Sequence, residues 1–194
     1  KGLHNLAEAY RIVREAGIDC FLQAAGYIAP EQRPYLDGIE KQLREWGMPF
    51  IYHGALDREQ KIAYLESLDV LSTPIVYADP KGIFVLEAMA AGVPVVQPDH
   101  GAFPEIIRNT GGGIIVEPEN PKRLAEGLIK VLSDPDLRAD LARRAYLGVR
   151  EHYRIDAMAE RTVEIFARVK SPVNQDALIA RSQKYFQILR TPAR

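Results

Sequence analysis

The sequence predicts an α/β protein built on a parallel sheet with helices on both faces. Two observations carry that class. Short apolar runs, "DCFLQAAG", "PFIYHG", "DVLSTP", "VPVVQP" and "GIIVEP", alternate with longer stretches of helical periodicity, the order that parallel strands and crossover helices impose. The chain has 194 residues, 47% of them hydrophobic, enough for one good-sized core. A third observation qualifies the class: the chain opens on a helix, so the first strand of such a sheet is expected to be missing from it, and the chain reads as part of a larger protein.

The elements follow in order. "LHNLAEAYRIVREAG" places Leu3, Leu6, Tyr10 and Val13 at helical spacing, with Gly17 as a stop. "DCFLQAAG" reads as a short buried strand, and "PEQRPYLDGIEKQLREWG" as a helix with a charged outer face ended by Gly47. "PFIYHG" is the next strand, and "DREQKIAYLESL" a helix that Asp57 is placed to cap. "DVLSTP" and "VPVVQP" are strand candidates on either side of a central helix. "PEIIRNTGGG" is a short helix closed by glycines, and "GIIVEP" is a strand. Helices follow over "PKRLAEGLIKVLS", "PDLRADLARRAYLGVREHY" and "IDAMAERTVEIFARV", with docking on a partner domain as one reading of their polar faces. "SPVNQ" is linker-like, and a last helix is expected over "DALIARSQKYFQILR".

The charges nearly cancel, to a formal net of −1, and acidic and basic residues are interspersed. This gives no footprint for nucleic acid. No apolar run approaches the roughly 20 residues of a membrane span, and no signal-peptide pattern is seen at the start. Peripheral membrane contact of the full protein stays open. The single cysteine, Cys20, sits in an apolar run and reads as a buried structural thiol. A soluble, cytoplasmic protein is expected. His4, His53, His100 and His152 lack metal-ligand spacing. His53 ends a strand, where a structural role is favoured over a place in a pocket.

One stretch asks for a chemical explanation: "YADPKGIFVLEAMAAGVPVV". Its helix is apolar almost all the way round, yet Glu87 lies in the middle, and an unpaired buried carboxylate is costly. A vicinal diol such as ribose would satisfy it with two hydroxyl donors. The free N–H groups ahead of it, about Gly82, Ile83 and Phe84, form a helix N-terminus suited to phosphate. The alternative at this point is an ion pair between Glu87 and a buried Arg or Lys, with Gly82 an ordinary loop residue.

The run Asp79-Pro-Lys-Gly-Ile-Phe-Val-Leu-Glu87-Ala-Met-Ala-Ala-Gly92-Val-Pro94-Val-Val resembles the donor-site signature of retaining GT-B glycosyltransferases of family 4 (glycosyl transferases group 1). That signature has two acids separated by seven residues, here Asp79 and Glu87. "KGLHNLAEA", "HGALDREQKIAYLESLDVLSTP" and "FPEIIRNTGGGIIVEPENPKRLAEGL" are similar to its other segments, in the right order.

The resemblance implies a Rossmann-like donor-binding domain over residues 1–169, the C-terminal half of a GT-B fold, followed by a linker and helix over 170–194. It implies a nucleotide-diphosphate-sugar donor, a separate N-terminal acceptor domain as partner, retention of anomeric configuration and no metal cofactor. It further implies that Lys1 contacts the diphosphate, that the amides of Gly82, Ile83 and Phe84 cradle it, and that Glu87 holds the ribose. Asp79 would lie near the transferred sugar and Leu56 in the loop at the base. Two departures from the family's pattern, Asp79 for the usual Glu and Lys81 for a common aromatic, bear on the sugar. The isolated chain is expected to have little transferase activity.

Asp134-Pro-Asp136 looks like the Asp-x-Asp metal motif of the other glycosyltransferase fold, but reads as a helix joint with a capping acid. Glu105 reads as a first-turn acid, and "RRAYLGVR" as a solvated face. Two other functions suit the same architecture: a sugar-nucleotide epimerase, which the Asp79/Glu87 pair argues against, and a degenerate Rossmann-like protein-interaction module.

Overall fold

The computed structural model describes residues 1–170. The expected linker "SPVNQ" and the helix expected after it lie outside the described residues. Two compact units divide between Tyr153 and Arg154.

The first unit alternates helix and strand as the sequence predicts. It runs α1 (Leu3–Glu15), β1 (Leu22–Ala24), a 3-10 turn (Pro30–Gln32), α2 (Arg33–Glu45), β2 (Phe50–Tyr52), α3 (Arg58–Glu66) and α4 (Ile83–Ala90). It continues with β3 (Val95–Pro98), α5 (Phe103–Thr110), β4 (Gly113–Val116), α6 (Pro121–Ser133) and α7 (Pro135–His152). From the second unit, α8 (Ile155–Lys170) is described. Along it Ile155, Met158, Ile165, Phe166 and Val169 are exposed.

Both strand pairings are parallel. β1 pairs with β2, Gln23 opposite Ile51, and β3 pairs with β4, Val96 opposite Ile114. "DVLSTP" gives less than the strand expected: a single parallel bridge, Leu71 to Val95. The Leu71 N–H donates to the Pro94 carbonyl at 3.0 Å, and its carbonyl accepts from Val96 N–H at 3.0 Å. No strand among the described residues links β1 to this bridge, so the sheet is interrupted there.

β3 is the centre of the core. All four of its residues are buried, as expected of a parallel strand covered on both faces. On one face Val95 joins Val85, Ala88, Met89 and Phe103 of α4 and α5. On the other, Val96 joins Ala9 and Val13 of α1 and Leu124 and Leu128 of α6. A third cluster, Tyr10, Ile39 and Leu43, packs α1 on α2. β1 departs from its expectation of burial. Its residues are half-buried, and Phe21 before it is 57% exposed. Cys20 is likewise half-buried, and partial burial pushes its thiol up.

Caps set the helix starts. Asp57 and Gln60 form a reciprocal capping box on α3. Asp134 accepts from the Leu137 N–H at 2.9 Å, so this acid closes the α6–α7 joint. Glu105 lies in the first turn of α5, on the favourable side of its dipole. Arg143 and Arg144 are exposed and pair with Asp140 on their own helix.

Candidate functional site

A cleft of about 1260 Å³ opens where the chain leaves the carboxyl ends of β1, β2 and the Leu71 bridge. It continues through the interruption in the sheet to Leu128 and Leu132 of α6. Strand carboxyl ends are where open parallel sheets bind ligands. Of the residues singled out in the sequence, Lys1, Leu56, Phe84 and Glu87 line this cleft, whereas Asp79, Gly82 and Ile83 are not among its lining residues.

The N-terminus of α4 is built by Gly82. It holds φ 60°, in the left-handed region, and a Cβ there would stand 2.7 Å from Ile106 Cδ1. Only a residue without a side chain adopts that conformation at no cost. Asp79 completes the turn. Its Oδ1 accepts from the Gly82 N–H at 2.6 Å and from the Lys81 N–H at 2.9 Å. The Gly82 amide, expected free, is therefore engaged. The N–H groups of Ile83 and Phe84 have no intrahelical partner and point out of the helix end. Those two backbone bonds, Gly82 first, hold the Asp79 carboxyl below its ordinary value, and the Lys1 charge adds to them.

Lys1 is brought to this turn by Gly2, whose hydrogen atoms face the Pro74 carbonyl so closely that a Cβ would fall 1.9 Å from its oxygen. The Lys1 Nζ stands 5.2 Å from the centre of the Phe84 ring, within range of a cation–π contact. Phe84 in turn meets Phe103 edge-on, centroids 5.8 Å apart.

Glu87 corrects the expectation of a carboxylate enclosed by apolar neighbours. Val85, Ala88 and Met89 face the core, but α4 lies at the cleft edge, and the Glu87 side chain keeps 37% of its surface exposed. It does have a protein partner. Lys61 Nζ, from α3, lies 2.5 Å from Glu87 Oε1 and is itself 42% exposed. The ion pair left open by the sequence thus exists, although it is not buried, and both of its members line the cleft.

Sequence reasoning did not find Lys61. The signal was present: Lys61, Tyr64, Leu65 and Leu68 fall at helical spacing on one face, the face that packs inward.

The far wall is a fixed polar surface. The Tyr64 hydroxyl donates to the Gln23 carbonyl at 3.2 Å, and burial pushes its phenol up to about 12. His53 shares a hydrogen bond with Gln23 Oε1 at 2.9 Å and packs edge-on against Tyr64. It does not line the cleft, in keeping with a structural role. The Gly26 N–H donates to the Gly54 carbonyl at 2.8 Å, tying the loop of Leu56 to the end of β1.

Among the described residues, no group of three or more His, Cys, Asp or Glu side chains is clustered to hold a metal. No described helix is long and apolar enough to cross a membrane.

A parallel α/β domain whose cleft, lined by Lys1, Phe84 and Glu87, opens at the strand carboxyl ends has its candidate site where sheets of this kind bind ligands. The family model for glycosyl transferases group 1 matches residues 1–148. The chain belongs to that family.

It is 37% identical over 138 residues to an uncharacterised glycosyltransferase of Methanocaldococcus jannaschii, covering 70% of this chain and 34% of that protein. It is 34% identical over 112 residues to a phosphatidyl-myo-inositol mannosyltransferase of Mycolicibacterium smegmatis, covering 56% of this chain and 29% of the relative. The chain thus spans about a third of these relatives.

Among solved structures, it superposes on the C-terminal domain of a glycosyl transferase group 1 family protein (LpcC) from Francisella tularensis. The TM-score is 0.72 at 26% identity, covering 80% of each chain. The Anabaena protein HepE, solved with UDP and glucose, shares the fold, with a TM-score of 0.76 at 18% identity over 87% of this chain and 45% of that one. The fold is therefore that of a GT-B C-terminal domain.

Proposed function

We propose that this chain is the donor-binding domain of a retaining glycosyltransferase, which takes a nucleotide-diphosphate sugar and works with a separate acceptor-binding domain. The observation that carries the reading is that Lys1, Phe84 of the first turn of α4 and the Glu87 carboxylate line one cleft, with the Lys1 ammonium beside the Phe84 ring. HepE, which shares the fold, has been solved with UDP and with UDP-glucose, which agrees with a donor of this class.

The diphosphate would meet the Ile83 and Phe84 amides and Lys1. These are positive groups aimed where charge develops as the sugar–phosphate bond breaks, and they cost no reorganisation at that moment. Glu87 would accept from the ribose hydroxyls, and Leu56 would border the base. Asp79 would face the transferred sugar with Oδ2, since Oδ1 is bonded to two amides. Lys1 and the amides would supply the charge neutralisation, with no metal in the donor complex. The chain by itself would be a binding module of little transferase activity.

The test is calorimetric titration with UDP, GDP and ADP, with and without EDTA. Binding of one diphosphate, unchanged by EDTA and weakened for its monophosphate, is the expected result. Folded protein that binds none of the three at millimolar ligand would refute the reading.

A further inference from the structure

The Lys61–Glu87 pair has no place in the functional scheme above, yet it lies at its centre. It joins α3 to α4 across the cleft wall and uses one carboxylate oxygen, Oε1. Among the described residues Oε2 accepts no hydrogen bond. Each carboxylate oxygen offers about two lone-pair sites, so the pair leaves one oxygen of a cleft-lining side chain without a hydrogen-bond partner among the described residues.

The pair is poor as a stabilising device. Both side chains are about two-fifths exposed, and ion pairs in that setting contribute little to stability. Its better use is orientation. A free Glu side chain at a cleft edge samples several rotamers, and a ligand that binds it must pay the cost of ordering them. Lys61 removes that cost because its own helix is fixed. The capping box holds the start of α3, Leu65 is buried, and the Tyr64 hydroxyl ties the helix to β1.

Resting on the donor-site reading, we propose that Lys61 is a positioning residue for ribose recognition: it holds Glu87 by Oε1 so that Oε2 faces the vicinal hydroxyls of the donor nucleoside. The effect is confined to ligands that carry those hydroxyls.

The test uses this chain, the best-binding of UDP, GDP and ADP, and the 2′,3′-dideoxy analogue of that nucleotide. Wild type is expected to prefer the ribonucleotide. In Lys61→Met the ribonucleotide weakens roughly three- to tenfold, the range that one oriented charge-assisted contact supports, while the dideoxy analogue binds as before. The preference therefore shrinks. Lys61→Arg, which keeps a donor and a charge, restores most of it. Thermal unfolding of each variant checks the fold.

An equal loss for both ligands, an unchanged preference or tighter ribonucleotide binding in Lys61→Met overturns the inference while leaving the donor site intact. A wild-type protein that binds neither ligand overturns both.

Discussion

Gly82→Ala tests the build of the α4 N-terminus most sharply, because its cost can be worked from two separate terms. The backbone there holds φ 60°, and left-handed geometry costs a residue with a side chain about 1–2 kcal/mol. The new Cβ would also stand 2.7 Å from Ile106 Cδ1. Ile106 is 2% exposed, so its methyl must shift within a packed core, adding about 1–2 kcal/mol. The sum of about 2–4 kcal/mol corresponds to a fall in Tm of about 4–16 °C for a domain of this size.

Gly92→Ala is the control. Gly92 also has positive φ, 78°, but a Cβ there meets nothing within 4 Å. It should lose the backbone term alone, about 1–2 kcal/mol. Calorimetric and urea unfolding of both variants give the difference. Equal losses would refute the claim that Ile106 forbids a side chain at the helix start, and a stable Gly82→Ala would refute both terms.

Other expectations concern individual groups. Asp79 has a depressed folded-state value, so its contribution is present above the ordinary value of 3.8 and is lost as pH falls through the folded one. Asp79→Asn should accordingly be less stable than wild type at neutral pH, with the gap closing in acid. Parallel urea titrations at pH 7 and pH 3 measure it. Tyr64 runs the other way. Its phenol is raised to about 12, so its contribution is complete below the ordinary value of 10 and disappears as pH rises through 12. A difference ultraviolet titration of wild type against Tyr64→Phe should remove one phenol that ionises late. Asp57→Ala removes half of the capping box and should cost about 1 kcal/mol by denaturant unfolding. Through α3 it should also loosen the hold of Lys61 on Glu87, seen as weaker nucleotide binding.

The alternation of apolar runs and helical stretches made nearly every element legible in the sequence, and Asp57 was readable as a cap because a cap is a local device. At the α6–α7 joint, by contrast, the sequence left Asp134 and Asp136 both open, and the structure places the cap on Asp134. Elements whose form depends on neighbours were harder. "DVLSTP" has strand composition but forms a single bridge, since composition says nothing of whether a partner edge is present. Cys20 and Phe21 look like core in the sequence, yet they lie where the sheet is interrupted and are partly exposed.

Glu87 shows the same limit within the site. A helical wheel counts which residues surround a position but not how deep the helix lies, and an eight-residue helix at a cleft edge keeps one face open. Lys61 is distant in sequence, so only its inward-facing register could have pointed to it. The two-acid spacing of Asp79 and Glu87 was legible. That Asp79 spends an oxygen on the turn ahead of α4 was not.

The central claim concerns where a nucleotide lies, and a crystal structure of the chain with its best-binding nucleoside diphosphate measures that directly. The account predicts the β-phosphate about 3 Å from the Ile83 and Phe84 amide nitrogens, with the ribose hydroxyls on Glu87 Oε2 and Lys61 still on Oε1. A nucleotide seated elsewhere in the cleft, or one whose ribose turns away while Lys61 and Glu87 stay closed on each other, would contradict it.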